Sequence, residues 1–113
     1  MEASPMTEDE IAAIALALSG TSESAHFGKR DFRVRGKVFF TLPRPGEAVL
    51  KLSPDQQALG IATAPEVLGP VPGAWGLKGW TVLRYGACEP AHAADLIQKA
   101  WATVAPASLA ARR

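Results

Sequence analysis

Hydrophobic residues near the start of the chain recur with the period of an α-helix, and the polar residues just before them fit a helix start. Thr7 and Glu10 have the spacing of a capping box, in which each side chain bonds the backbone N–H of the other residue. The pattern predicts a helix over about residues 8–18. Its apolar stripe, at positions i, i+3, i+4 and i+7, consists of Ile11, Ile14, Ala15 and Leu18.

Between residues 22 and 52 the hydrophobic period changes from 3.6 to 2, which is typical of β-strands. Arg35-Gly36 and the segment 43–46 carry turn signals, so an antiparallel meander is predicted. In its first strand Phe32 and Val34 alternate with Arg33. In its second strand the expected apolar and opposing sets are Val38, Phe40 and Leu42 against Lys37, Phe39 and Thr41. In its third strand the corresponding sets are Ala48, Leu50 and Leu52 against Val49 and Lys51.

The second half of the chain begins with another helix signal, because Ser53 and Gln56 form a second capping box around Pro54. This helix is predicted to end near residue 62. Residues 63–79 are rich in Pro and Gly and are expected to form an irregular loop, with a short extended piece around 74–77.

Period-two alternation returns at 80–85 and predicts a further strand. A last amphipathic helix is expected from Pro90 to just before Pro106, with Trp101 on its apolar stripe and therefore in the core. The tail 107–113 is expected to be loose.

This order of elements predicts an α+β fold in two layers, an antiparallel sheet with the N-terminal and C-terminal helices packed on one face. The other face of the sheet is left for solvent or a ligand. At 113 residues the chain has the size of a single domain, spanning 1–113 with a core over about 7–105.

Charge is distributed unevenly along the chain, although the net charge is only +1. Residues 1–25 contain five acidic side chains and no Lys or Arg, whereas residues 26–51 contain seven basic and two acidic side chains. Because the whole protein is nearly neutral, polyanion binding is expected only from a local basic surface.

Catalytic and metal-binding chemistry has little support in the sequence. Cys88 is the only cysteine, so an internal disulfide and a paired-cysteine zinc site are excluded, and it is interpreted as a packing thiol. Cys88, His26 and His92 lack the spacing of a nucleophile with its base. The acidic residues Glu8, Asp9 and Glu10 are explained by the helix start. We expect no catalysis, metal or cofactor.

The cysteine usage favours a reducing compartment, and no signal peptide or membrane span is recognisable. We therefore expect a cytoplasmic protein without membrane contact, and a monomer.

A basic hairpin is the strongest candidate site. Arg33, Arg35, Lys37 and Lys51 occupy polar positions of neighbouring strands, and Lys29 and Arg30 lie just before them. Cations on one surface could hold phosphates, since each contact releases counterions. The alternative is a solvated strand face whose basic residues guard a sheet edge against aggregation.

Two tryptophans flank Lys78, and they extend this candidate site. Trp75 and Trp80 could stack a base beside the cation, or could close the loop onto the sheet as a hydrophobic latch. Charge and spacing leave both interpretations open.

Several segments together resemble the MmcQ/YjbR family: residues 26–29 (HFGK), 31–39 (DFRVRGKVF), 49–52 (VLKL) and 79–81 (GWT). The similarity extends over about residues 8–105. It implies a fold like that of bacterial frataxin (CyaY-like) and a DNA-binding function. The recurring polar positions that it implies are Lys37, Lys51 and Trp80, with Phe27-Gly28 and Phe32 as scaffold.

Taken together, these observations predict a non-enzymatic protein that contacts DNA phosphates without reading base sequence. The expected contact residues are Lys29, Arg30, Arg33, Arg35, Lys37, Lys51, Lys78 and Trp80. The alternative is a module that binds a protein or a small anion, with Lys37 and Lys51 holding a carboxylate or phosphate beside Trp80.

Overall fold

The computed structural model describes residues 5–110. Its helices and strands, in chain order, are α1 Glu8–Leu16, β1 Thr21–His26, β2 Lys29–Val34, β3 Lys37–Arg44, β4 Glu47–Lys51, α2 Pro54–Thr63, β5 Leu68–Pro70, α3 Ala74–Leu77, β6 Trp80–Arg84, a 3₁₀ turn Tyr85–Ala87, α4 Pro90–Val104 and α5 Ala107–Ala110.

All six strands form one antiparallel sheet in the order β1-β2-β3-β4-β6-β5. The predicted meander is present as β2, β3 and β4. After β4 the chain passes through α2 to the edge strand β5, and then returns through α3 as β6, which lies between β5 and β4. The α+β class and the two-layer arrangement are confirmed.

One face of the sheet, called here the covered face, packs against α1 and α4. Phe32 lies opposite Phe40, and Phe40 lies opposite Leu50, in neighbouring strands. These three side chains are fully buried together with Trp101 of α4. The Trp101 Nε1–H donates a hydrogen bond of 2.8 Å to the Ser19 carbonyl, which ties the last long helix to the end of the first. This face supplies the apolar burial that stabilises the fold.

The helix starts follow the sequence signals closely. Both bonds of each capping box are formed, between Thr7 and Glu10 and between Ser53 and Gln56. The first helix ends at Leu16, two residues earlier than predicted, and the last long helix spans Pro90–Val104 as expected.

A β-bulge changes the predicted alternation in β3. Phe32 pairs with Phe40 while the next residue, Arg33, pairs with Val38, so Phe39 is an additional residue in the strand. Phe39 is therefore fully buried, contrary to its predicted place on the polar side. Val38 was predicted to share a face with Phe40. It is instead half-buried on the opposite face, where it lines a groove.

Other differences lie where regular patterning is absent. The segment 63–79 is not wholly irregular, because it holds the short strand β5, and the piece 74–77 is the helical turn α3 rather than extended chain. Strand β1 has the sequence TSESAH, without apolar alternation, and was not separated from the rest of the meander. Within the tail, residues 107–110 form a helical turn, and residues 111–113 fall outside the described part.

Candidate nucleic-acid interface

The face of the sheet opposite α1 and α4, called here the open face, carries half-buried side chains along its centre. The register aligns Asp31, Thr41, Val49 and Val82 in one row across four strands. A groove of about 550 Å³ crosses this face, lined by Lys29, Arg33, Val38, Thr41, Trp75 and Trp80 among others. The open face thus combines apolar surface with cations.

Trp75 and Trp80 form a corner at one end of the groove, called here the tryptophan corner. Their rings meet edge to face, with centroids 6.1 Å apart and planes at 76°. The Lys51 Nζ lies 5.5 Å from the centroid of Trp80, and the Lys78 Nζ lies 5.3 Å from that of Trp75. Each lysine is within cation–π distance of one indole. The structure therefore brings together three residues of the predicted site, Lys51, Lys78 and Trp80, around Trp75.

Close backbone packing positions the tryptophan corner. A Cβ on Gly79, whose φ is +106°, would lie 1.9 Å from the Leu52 carbonyl oxygen, and a Cβ on Gly76 would lie 1.9 Å from the Val71 carbonyl oxygen. Only glycine allows these two approaches. These close contacts hold α3 against the segment at Val71 and the start of β6 against the segment at Leu52.

Gln57, on α2, completes the support of the tryptophan corner. Its Nε2 lies 3.0 Å from the Gly76 carbonyl oxygen and 2.9 Å from that of Trp80, and both accept hydrogen bonds from it. Neither charge nor periodicity singles out Gln57, so the sequence interpretation had no signal for this role.

Arg33 lies in the groove but is paired with Asp31. The Arg33 Nε and Nη2 donate to the two carboxylate oxygens of Asp31 at 2.9 and 3.1 Å. The hydrogen bonds that Arg33 donates to Asp31 are the main cause of the raised pKa of Arg33. Asp31 is only 4% exposed, so its charge is balanced by Arg33 rather than by water. Arg33 therefore adds a donor to the groove and little net charge.

Arg30 also lines the groove, but its guanidinium is bonded to carboxylates of α1 and β1. Its guanidinium bonds Glu23 at 2.6 and 3.1 Å, Asp9 at 3.0 Å and Glu8 at 3.2 Å. The bonds to Glu23, followed by those to Asp9 and Glu8, outweigh the opposing effect of burial and raise the pKa of Arg30. The charge of Arg30 thus joins α1 and β1 to the sheet, and its contact with phosphate stays a prediction.

Arg35 and Lys37 lie at the tip of the β2–β3 hairpin. Arg35 is exposed in the turn with a φ of +51°. Lys37 is exposed and pairs with Val34, whose side chain is buried in the core, so the register assigns Lys37 to the covered side of the sheet. Lys37 therefore does not share the open face with Lys51.

Three lysines are called here the groove lysines: Lys29, which lines the groove, and Lys51 and Lys78, which lie beside its lining residues Trp80 and Trp75. None of them forms an ion pair with another residue of the described range 5–110. Arg84 is exposed on β6 and likewise has no ion pair within that range. Its two-residue spacing from Val82 and Trp80 was the signal that could have added it to the predicted site.

The other candidate groups are distributed elsewhere. Cys88 is buried, its Sγ lies 3.6 Å from the His92 Nδ1, and burial raises the pKa of its thiol. The side chain of His26 lies outside the described residues. Phe27, expected as scaffold, is 90% exposed. In the described part of the chain, no cluster of three or more His, Cys, Asp or Glu residues could hold a metal ion, and no helix could cross a membrane.

Comparison with known proteins supplies the family. The YjbR family model matches residues 16–103, which is most of the chain and includes the whole sheet. The chain belongs to the YjbR family. This confirms the resemblance found in the sequence, although family membership by itself assigns no ligand to the groove.

The YjbR fold also matches a solved structure. The crystal structure of Deinococcus radiodurans protein DR2400, which carries the domain DUF419, is similar with a TM-score of 0.75 at 13% sequence identity. The match covers 99% of this chain and 91% of that one. None of the curated proteins matches this YjbR sequence. At such low identity the structural likeness establishes the fold alone.

Proposed function

We propose that this YjbR protein binds DNA on its open face, with the groove lysines Lys29, Lys51 and Lys78 contacting phosphates. The observation that carries the proposal is the difference in charge compensation among the basic residues. Arg30 and Arg33 are bonded to carboxylates, whereas the groove lysines have no ion pair within residues 5–110 and lie at the groove or beside the two tryptophans that line it. Uncompensated cations on one surface are what a polyanion requires.

Phosphate contact, rather than base reading, is what this surface favours. Sequence is read in the major groove of DNA by an inserted helix or a two-stranded ribbon. The long helices α1 and α4 are committed to the covered face, and only the four-residue helix α3 borders the groove. Lysine ammonium groups bind phosphate as point charges and carry no base information. Affinity is therefore expected to depend on salt and very little on sequence.

The test uses two charge-matched double variants of the full chain and a labelled DNA duplex followed by fluorescence anisotropy. Lys29→Glu with Lys51→Glu changes the open face, and Arg35→Glu with Lys37→Glu changes the hairpin tip by the same total charge. The first variant is expected to lose on the order of tenfold in affinity at low salt and to show a shallower salt dependence. The second is expected to stay within about twofold of the natural protein.

Equal loss in both variants would show that only the overall charge matters and would overturn the proposed site. Duplex binding that is absent at low salt, or that does not weaken between low and physiological salt, would overturn the proposed function.

A small organic anion is a second candidate ligand, favoured by the size of the groove. Its volume of about 550 Å³ falls within the usual range of small-molecule sites. The pair Lys37 and Lys51, expected to hold such an anion, is divided between the two faces of the sheet, so only Lys51 stays beside Trp80. Saturable quenching of tryptophan fluorescence by a nucleoside monophosphate, uncompeted by DNA, would favour this candidate.

A further inference from the structure

We infer that the tryptophan corner stacks an unpaired base on Trp75, so that the preferred ligand of the open face is single-stranded DNA. This inference rests on the proposed function, because it names the form of DNA that the same surface would take. It assigns Trp75 to the site. From the sequence alone, both base stacking and loop closure were possible roles for this residue.

Exposure separates the two interpretations of Trp75. A tryptophan that only latched a loop would bury its ring, yet Trp75 remains 60% exposed despite its contact with Trp80. Large exposed aromatic side chains are costly in water and are typical of binding surfaces. Trp75 also borders the groove together with Lys29, so its free surface adjoins the proposed phosphate contacts.

Charge around the two indoles argues for a nucleic acid strand as the occupant. Lys78 and Lys51 place their ammonium groups 5.3 and 5.5 Å from the two ring centroids. A base stacked at this corner would bring its flanking phosphates close to both lysines. Aromatic platforms beside cations are the common device for binding single strands, because every base has a π-face and every nucleotide a charge.

Stacking selects unpaired over paired DNA for a geometric reason. A base within a duplex has both of its faces covered by its neighbours, and only its edges are open in the grooves. An indole can reach a base face only where the base is already unstacked or has been extruded, which costs free energy. A tryptophan on an open sheet face therefore favours a strand whose bases are free.

The rigidity of the tryptophan corner strengthens this inference. Gly76, Gly79 and Gln57 fix the backbone on both sides of the two indoles through the close contacts and hydrogen bonds described above. A ring held in place before binding loses little conformational entropy when a base stacks on it.

The experiment compares three labelled probes of equal length with the full protein at one salt concentration. They are an oligothymidine strand, a strand of abasic nucleotides and a DNA duplex. The variants are Trp75→Ala, Trp75→Phe and, as a control, Leu77→Ala, which removes another exposed apolar side chain of α3. The oligothymidine strand is expected to bind most tightly, and Trp75→Ala is expected to weaken it by about tenfold.

Three further results are expected if Trp75 stacks a base. Trp75→Phe restores most of the lost affinity, Leu77→Ala changes little, and the abasic strand binds equally to the natural protein and to Trp75→Ala. Equal affinity of the natural protein for the oligothymidine and abasic strands, or unchanged oligothymidine binding by Trp75→Ala, would overturn the inference.

The same experiment keeps the two proposals apart. If all three probes bind alike, with sensitivity to salt and to Lys29→Glu with Lys51→Glu, the phosphate site stands and base stacking fails. If none of the probes binds at low salt, the proposed function itself fails.

Discussion

The two faces of the sheet use the same kinds of residue for opposite purposes. On the covered face, Phe32, Phe40 and Leu50 are fully buried, and the cation at its margin, Arg30, is held by three carboxylates. On the open face, Val49 and Val82 are only half-buried, and Lys51 rests over Trp80 without a carboxylate partner within residues 5–110. The role of each basic residue thus depends on which face of the sheet it occupies.

Neighbouring residues of β2 show this most directly. Lys29 and Arg30 are adjacent in sequence and both line the groove, yet Lys29 has no ion pair within residues 5–110 whereas the Arg30 guanidinium binds Glu23, Asp9 and Glu8. Successive side chains of a strand point to opposite faces. A count of charges along a segment therefore overstates the cationic surface that any ligand would meet.

The largest expected effect is the loss of stability caused by a substitution on the covered face. Phe40→Ala should lower the free energy of unfolding by about 3–5 kcal/mol, because a fully buried ring is lost and a cavity remains. Val49→Ala, on the neighbouring strand but on the open face, should cost about 1 kcal/mol or less, because the side chain is only half-buried. Urea unfolding curves measure both. Equal losses would contradict the assignment of the two faces.

A smaller effect distinguishes the adjacent cations. Arg30→Ala should lower the free energy of unfolding by about 1–2 kcal/mol, since three carboxylates lose a shared partner at a partly exposed site. Lys29→Ala should change stability by less than about 0.5 kcal/mol. DNA affinity should follow the reverse order, with the larger loss in Lys29→Ala. Denaturant unfolding and anisotropy on the same two proteins provide the measurement, and identical behaviour in both assays would refute the distinction.

The smallest effect concerns the buried thiol on the covered side. Burial, and secondarily the charge of Glu89, raises the pKa of Cys88 above its ordinary value of 9.0. The contribution of the protonated Cys88 thiol to the free energy of unfolding is complete below pH 9.0, where the thiol is protonated in both the folded and the unfolded chain. As pH rises above 9.0 towards the folded pKa, the unfolded chain ionises first, so stability falls.

Cys88→Ala should remove this part of the alkaline decline, which unfolding curves at successive pH values would show. A decline of the same steepness in the variant and the natural protein would assign it to other groups.

Most of the fold could be predicted because its main elements carry strong local signals. Two capping boxes mark the starts of α1 and α2, and Trp101 lies on a regular apolar stripe. Strand β1 was not predicted as a separate strand, because its stability comes from pairing with β2 rather than from apolar alternation. The bulge at Phe39 was not predicted, because strict alternation does not reveal an additional residue. This residue reverses the faces of the positions beyond it.

The site was predictable in composition but not in arrangement. Lys51, Lys78 and Trp80 were named from their residue types, and the structure places them around Trp75. The separation of Arg30 from Lys29 depends on partners at positions 8, 9 and 23, which no local pattern connects to β2. Gln57 acts through hydrogen bonds to backbone carbonyls some twenty positions away, for which sequence spacing offers no rule.

The bond between Trp101 and the Ser19 carbonyl also bears on how the chain folds during synthesis. Its two ends are 82 positions apart, and α4 leaves the ribosome after every strand has been made. Until then Phe40 and Leu50 lack the cover of α4, so the nascent sheet presents an apolar surface to chaperones and to other chains. Productive folding should therefore wait until α4 has been synthesised, and variants that weaken α4 should increase aggregation of newly made protein before they alter the function of molecules that have already folded.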